Sequence, residues 1–392
     1  MSYAVGYGTE SLNPSGFNLP LFKTTYMTEY VRTNRFNKYM GMDATMPIQI
    51  DVQLKKGGQN ITFPIMGRLQ KRGVAGNMPL AGREEDLARF SHNVTVEYFR
   101  NGVLLTERDE HMTFAKALPQ VRPHLMTWSK EQLRDAIIDA MFSVSPGVTI
   151  LPSLVNPDAT QVLPGDPAPV IISSQASPAQ LNTWTTNNAD RIVFGGASTN
   201  LAAGNFATSI GNVNAATDMF GAHIVDRMKM AAELANPHMT PIEIGDDGEE
   251  YWVIFCDPFT FAQAQYDPDI LAFNQNARAR EGSGWNKNPM RTGGDLEWNG
   301  CIIRKIQEMT PIGAGTIPGV AGAYGRAILV GAQAIAVGLG MDADFRERKD
   351  DDYGHLKGIG ITECRGCNKF QRNMQGGNYI DNSCVTAFVK LG

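Results

Sequence analysis

A mixed α+β chain built around one long helix is what this sequence predicts, and three observations predict it. Residues 123–144 repeat large apolar side chains at helical spacing. The stretch before them alternates apolar and polar residues as strands do, and the stretch after them mixes further helical and strand-like segments. A hydrophobic content of 43% with 19% charged residues is that of a folded globular chain. At 392 residues two or three domains are expected. The 40 glycines and 21 prolines require much turn and loop.

In the long helix, Leu133, Ile137, Ile138 and Met141 share one face, with Arg134, Asp135 and Asp139 on the other. Two starts are open. Pro123 fits the first helical position, where its missing N–H costs nothing. Alternatively Ser129 caps the helix, Gln132 completes a capping box and Trp128 staples onto Leu133. Ser145-Pro146-Gly147 stops it.

Taken in order, residues 1–20 read as an extended arm, rich in Gly, Ser, Asn and Pro. From Leu21 to Met42, large apolar groups alternate with Lys23, Arg32, Arg35 and Lys38, as in a short amphipathic helix with a basic face. Residues 1–42 carry four basic and two acidic side chains, a net +2 in a chain of net −5. Ile48 to Leu54 alternates strictly and, with the glycine-containing turn before Ile61–Phe63, predicts a β-hairpin. Pro64 marks its return as an edge or an end, and Val94–Tyr98 is a third strand.

Between them lie residues 66–91, with four glycines and weak periodicity. So long an excursion is either a loop over the surface or a segment docked on something else. It carries Leu69, Val74, Met78 and Leu80, which it cannot bury on itself. It also carries both charges, with Arg68, Lys71, Arg72 and Arg83 facing Glu84, Glu85 and Asp86.

Residues 145–206 read as an insertion with short strands. Thr217–Asn236 is a second helix, with Met219, Phe220, Ile224, Met228, Ala231 and Ala235 on one face and His223 beside that face, partly buried. Tyr251–Cys256 is a buried strand, Asp267-Pro268 opens a helix through Arg280, and Ala327–Val330 and Cys384–Val389 are further strands.

The patterns that carry chemistry are mostly missing. Cys364 and Cys367 form one CxxC without a second, and the six histidines lack metal-ligand spacing. Asp246-Asp247-Gly248 is a hairpin turn between Ile242–Ile244 and Tyr251–Val253 rather than a calcium loop. Asp350–Asp352 is a solvated charge run. Gly331–Gly340 has no phosphate-loop spacing, and nothing assembles a nucleophile, base and orienting group. No catalytic, cofactor or metal site is therefore assigned. A net charge of −5 does not suit a dedicated nucleic-acid binder. No apolar run spans a membrane, and the first residues lack a secretory pattern. Five cysteines suit reduced thiols in a cytoplasm.

Several segments together resemble a known family, the major capsid proteins of tailed phages with the Hong Kong 97-type fold, and more narrowly its N-four-type podophage branch. They are Phe36–Gly41, Gly57-Gly58 with Ile61–Phe63, Leu69 with Gly73-Val74 and Gly76, and Leu80 with Gly82–Glu85 and Leu87. Trp128 with Asp135, Asn286–Pro289, Gly293-Gly294, Trp298–Gly300, Glu308 and Arg326–Ala334 follow. Residues 145–206 and the prolines Pro119 and Pro123 depart from the pattern.

The resemblance implies an N-terminal arm (1–47), an extended β-arm (48–106) and a peripheral domain with spine helix and insertion (107–206). A mainly axial domain (207–340) and a return to the peripheral domain (341–392) complete it. It implies a major capsid protein self-assembling into hexamers and pentamers of an icosahedral head, put together in the bacterial cytoplasm around double-stranded DNA. Portal, scaffold or decoration proteins would be further partners. On this reading Leu69, Lys71, Arg72, Val74, Met78, Leu80, Arg83, Glu84 and Glu85 are candidate inter-subunit contacts. Trp128, Leu133, Ile137, Ile138 and Met141 pack the spine helix. An encapsulin-like nanocompartment shell and a soluble α/β enzyme remain the competing readings.

Overall fold

The computed structural model describes residues 35–52, 60–66, 69, 71, 73–85, 89–106, 118–144, 176–214, 216–244, 249–280, 295–313, 320, 322–348, 356–374 and 378–391. In chain order the strands are β1 (Met40–Gly41), β2 (Ile48–Val52), β3 (Asn60–Met66), β4 (Arg89–Thr95), β5 (Glu97–Thr106), β6 (Ile192–Phe194), β7 (Ile242–Ile244) and β8 (Glu249–Cys256). They continue with β9 (Leu296–Trp298), β10 (Cys301–Lys305), β11 (Tyr324–Val330), β12 (Ile335–Glu347), β13 (Leu356–Lys369), β14 (Gln371–Met374), β15 (Asn378–Asp381) and β16 (Cys384–Lys390). The helices are α1 (Leu118–Met141), α2 (Pro178–Asn187), α3 (Phe206–Gly211), α4 (Ala222–Leu234), α5 (Pro258–Tyr266) and α6 (Pro268–Arg280).

The chain divides into two units. The larger comprises Thr33–Arg100, Trp128–Asp344 and Thr362–Gly392. Its main sheet runs β6-β16-β11-β8-β10-β9, with β7 added to β8. Tyr251–Cys256 read as a continuous apolar run because both faces of β8 are covered. Val253 and Phe255 face a core shared with Ile137 and Met141 of α1. Trp252 and Ile254 face a second core with Ile224 and Met228 of α4 and Phe261 of α5. Helices therefore lie on both faces of a mixed sheet. Local chemistry sets the elements between. Ser177 and Gln180 form a capping box on α2, and Asp257 accepts from the Phe259 and Thr260 amides at the start of α5. Asn299 and Gly300, at φ 46° and 72°, make the left-handed turn between β9 and β10. Within this unit β1, β2, β12 and β13 form a second sheet, where β2 pairs in parallel with β12 from Ile48↔Ile335 to Val52↔Leu339.

In the smaller unit the described residues are 101–106, 118–127, 345–348 and 356–361. Arg122 pairs with Glu347 at 2.8 Å and lies over the Phe345 ring. Elements α1, β5, β12 and β13 each have residues in both units.

The structure bears out the buried strand, the antiparallel pairing of Ile242–Ile244 with the start of β8, the α6 start and the two C-terminal strands, and corrects other expectations; the Asp246–Gly248 turn lies outside the described residues. The long helix runs Leu118–Met141, earlier at both ends than residues 123–144. Pro119 supplies the first-turn proline, and Pro123, near the helix start, forgoes one hydrogen bond. Ser129 lies inside the helix and caps nothing; its hydroxyl donates to Glu363 at 2.7 Å. Trp128, also inside, cannot be a staple preceding a cap. Arg134 is buried rather than solvated, because Asp135 at 2.9 Å, Glu308 at 3.5 Å and Glu131 at 4.0 Å surround it.

The hairpin expected between residues 48 and 63 does not form. Strand β3 pairs instead with β4 over seven residues, from Asn60↔Thr95 to Met66↔Arg89. This register stacks Ile61, Phe63 and Ile65 beside His92 and Val94. Pro64 is indeed on an edge, exposed in a two-stranded ribbon. Residues 176–206 hold α2 and one short strand rather than several strands. Around Asn37–Tyr39 there is a single 3-10 turn instead of an amphipathic helix. Met219 precedes α4 and is exposed, and His223 is exposed, because the helix starts at Ala222 rather than Thr217. The expectations for residues 1–34, Gly57-Gly58, Arg68, Arg72, Asp86, Leu87, 145–175, 286–294 and 350–352 lie outside the described residues.

A buried ionic knot ties the C-terminal strands to α2. Asp381 accepts from Lys369 Nζ at 2.6 Å, Gln371 Nε2 at 3.0 Å and Trp184 Nε1 at 3.2 Å. Arg191 Nη1 donates to the Asp381 carbonyl at 2.7 Å. Lys369 is fully buried and Asp381 nearly so. Removing one partner strands the other's charge away from water. Lys369→Met is expected to lower unfolding stability by roughly 3–5 kcal/mol, measured by urea denaturation; a change under about 1 kcal/mol would contradict a buried ion pair there.

Candidate functional site

The β3–β4 ribbon has two unlike faces. Ile61, Phe63, Ile65 and Val94 are buried against Ala336, Cys364 and Phe370, and the alternate residues Asn60, Thr62, Pro64 and Met66 are exposed. The ladder stops at Met66↔Arg89. Beyond it, the described part of the tip turns on Gly73, Gly76 and Gly82, all at positive φ and with no neighbour near a would-be Cβ.

The tip organises its charges and leaves its apolar groups in water. The Lys71 amide donates to Glu85 Oε2 at 2.8 Å and its ammonium to the Glu84 carbonyl at 2.8 Å. Glu84 Oε2 accepts from the Gly82 amide, and Arg83 Nη1 donates to Met78 Sδ at 3.1 Å. Leu69, Met78 and Leu80 remain 59%, 59% and 57% exposed, while Val74 is half-buried. The structure thus brings together Lys71, Glu84 and Glu85, and separately Arg83 and Met78. Arg72 lies outside the described residues.

At the arm's root sits a residue that sequence reasoning passed over. His92, 4% exposed, pairs in register with Phe63, and its ring lies 5.0 Å from that of Phe370. Burial pushes its imidazole down to about 4, against a smaller opposing effect from a hydrogen bond with the Gln371 backbone. The only available signal was its place in the Arg89–Thr95 run, opposite an apolar strand.

On α1, Ile137, Ile138 and Met141 are buried in the main core and Leu133 packs against it half-buried; Trp128 is half-buried. Polar groups lock the helix as firmly. Arg365 Nη1 donates to the Ser129 carbonyl at 3.1 Å and its Nη2 lies 3.1 Å from Glu363. Burial, then the neighbouring Asp135, pushes the Asp139 carboxyl up to about 6 in spite of Arg326. The Arg326 guanidinium lies 4.3 Å over the Phe142 ring.

A cavity of about 480 Å³ between α4, α5 and α6 is lined by Met219, His223, Phe259, Tyr266 and Asp267 among others. Its polar groups already serve the backbone. Asp267 accepts from the Ala222, Asp269 and Ile270 amides, and His223 Nε2 bonds the Thr217 carbonyl. Cys364 and Cys367 face different cores because residues three apart on a strand point to opposite sides. Among the described residues no group of three or more His, Cys, Asp or Glu is placed to hold a metal, and no helix is long and apolar enough to cross a membrane.

Comparison with known proteins adds relatives to this geometry. A family model described as phage capsid protein matches residues 13–387. The major capsid protein of Pseudomonas phage KPP25 is 24% identical over 383 residues, covering 94% of each chain. Among solved structures, the capsid asymmetric unit of cyanophage Pam1 superposes with a TM-score of 0.79 at 26% identity, over 98% of this chain and 99% of that one. The capsid of Ralstonia phage GP4 shares the fold with a TM-score of 0.69 at 18% identity, over 100% and 99% of the two chains.

The burial of His92 predicts that packing of the β3–β4 ribbon is acid-sensitive. Its folded value lies below the usual 6.5, so the unfolded state binds the proton first and stability falls as pH drops from 6.5 towards 4. About 3 kcal/mol is at stake across that window. Hydrogen exchange of β3 and β4 should quicken between pH 7 and pH 4.5, and His92→Phe should abolish that pH dependence. Equal acid sensitivity in the variant would rule His92 out as its source.

Proposed function

The chain belongs to the phage capsid protein family, and on that premise we propose that it is a major capsid protein whose copies assemble into the icosahedral head shell of a bacteriophage. The observation that carries the mechanism is the arm, a docked hairpin whose tip holds Leu69, Met78 and Leu80 in water. Fully burying a Leu or Met is worth about 1.5–3 kcal/mol, so covering three half-exposed ones on a neighbour supplies roughly 3 kcal/mol per contact. That is weak for one pair of subunits. Repeated around closed rings and across a shell, it becomes decisive.

In this reading the architecture follows the Hong Kong 97-type plan. Residues 1–47 form the N-terminal arm, 48–106 the extended arm that carries the β3–β4 ribbon, and 107–206 the peripheral domain with α1 as spine. Residues 207–340 form the axial domain, and 341–392 return to the peripheral domain. Hexamers and pentamers make the shell. Lys71, Arg72, Arg83, Glu84 and Glu85 set register and partner choice more than affinity. Portal, scaffold or decoration proteins, and packaged double-stranded DNA held without sequence preference, complete the partners. The work is assembly rather than turnover, so no catalytic residue or cofactor is assigned. The relatives described above are phage capsids, which favours this shell over a nanocompartment.

The test is Leu69→Ser/Met78→Ser/Leu80→Ser. Because these side chains are exposed in the single chain, its stability should stay within about 0.5 kcal/mol of the parent. Shells and rings seen by negative-stain microscopy and sedimentation should be lost. Wild-type yields of shells from the variant would remove the arm from the mechanism.

A further inference from the structure

Helix α5 has the composition of a buried helix and lies on the surface. Its inner side, Thr260, Phe261 and Ala264, is buried. Its outer side holds Phe259 and Tyr266, 62% and 86% exposed, with Gln265 as its one exposed polar residue. Gln263, which could have faced water, is used inside instead. Its Oε1 accepts from the Phe220 amide at 3.0 Å and its Nε2 donates to the Lys390 carbonyl at 2.9 Å. No residue from Pro258 to Tyr266 is charged. A helix apolar on all sides belongs in an interior, yet among the described residues none covers the outer side of this one.

The neighbouring segments share this character. Met219, ahead of α4, and Leu271, on α6, are also exposed, and Met219 borders the cavity between the helices together with Phe259 and Tyr266. From Pro258 to Asn274 only Asp267 and Asp269 are charged. Asp267 is taken up by the amides of Ala222, Asp269 and Ile270. Few charges with exposed aromatics and Met is the composition of an interface core, not of a solvated face. The exposed parts of these four side chains come to roughly 500 Å², towards the upper end of the apolar patch on an ordinary monomer. That is over half of the ~800 Å² that each partner gives to a standard interface. So large an apolar area calls for a protein surface, and a chain of a capsid family is surrounded by copies of itself.

We propose that the outer face of α5, with Met219 and Leu271 beside it, is an interface with a second copy of this chain, separate from the arm tip. The inference rests on the capsid reading above. Phe259 and Tyr266 are its anchors, because large aromatic side chains that become fully desolvated carry most of the energy of an interface. The cavity between the helices receives the apolar side chains of the other copy, since its own polar groups are already engaged.

The test has two arms. In the first, Phe259→Ser/Tyr266→Ser is compared with the parent by light scattering and negative-stain microscopy. Both side chains are exposed in the single chain, so the urea midpoint should match the parent's. The concentration needed for assembly should rise about tenfold or more, as expected when anchoring aromatics are lost. Tyr266→Phe, which keeps the apolar face, and Gln265→Ser, on the same helix, should assemble as the parent does. The second arm needs no variant. Hydroxyl-radical oxidation of Tyr266 should fall several-fold between unassembled chains and shells made of this chain alone. Assembly of the double Ser variant at the parent's concentration would overturn the proposal, as would a Tyr266 equally reactive in chains and shells. Protection of Tyr266 only after another virion protein is added would overturn it too, because the occupant would then not be a copy. A parent that forms neither shells nor rings removes the capsid reading, whereas shells with Tyr266 still in water remove this inference alone.

Discussion

A ribbon of two strands has one row of side chains to bury and little of its own to bury them in, and isolated hairpins are at best marginal in water. Here β3–β4 meets that constraint only along its ladder, where Ile61, Phe63, Ile65 and Val94 find Phe370, Ala336 and Cys364. Past Met66↔Arg89 the ladder ends, and Leu69, Met78 and Leu80 stand largely in solvent. The root of the ribbon is thus a matter of folding, and on the reading proposed above the tip is a matter of association. On that reading the two are separate, and a subunit stable alone would still gain free energy by joining others.

The body supplies what such an arm needs, a frame that does not yield. Its main sheet is covered by α1 on one face and by α4 and α5 on the other. Buried charge adds definition rather than large net stability, since desolvation offsets most of an ion pair's attraction. The groups around Asp381 accept one arrangement of α2, β13 and β15, as those around Arg134 and Ser129 accept one arrangement of α1.

What the sequence made legible was local. β8, β11 and β16 are apolar runs, α6 opens at Asp267-Pro268, and the hairpin into Tyr251 needs only Asp-Gly between two strands. Pairing was not legible. Ile48–Val52 and Ile61–Phe63 both alternate, and alternation says that a strand exists without naming its partner, so β2 went to β12 and β3 to β4. Buried charge was not legible either. Arg134 and Arg191 look like surface residues until Glu308 and the Asp381 carbonyl are brought to them from far along the chain, and Lys369 does until β15 returns Asp381 to it. Of the candidate site, Leu69, Met78 and Leu80 were visible as apolar groups in a segment too irregular to bury them. The root was hidden, because His92 is buried by Phe370.

The most direct measurement is hydroxyl-radical footprinting of methionines in unassembled chains and in purified shells. Met78 is exposed in the single chain, while Met141 and Met228 are buried within it. If the shell is held by arm tips covered on neighbours, Met78 oxidation should fall several-fold on assembly, with Met141 and Met228 protected in both forms. Equal reactivity of Met78 in chains and shells would contradict the account, because the tip would then be as wet in the shell as outside it.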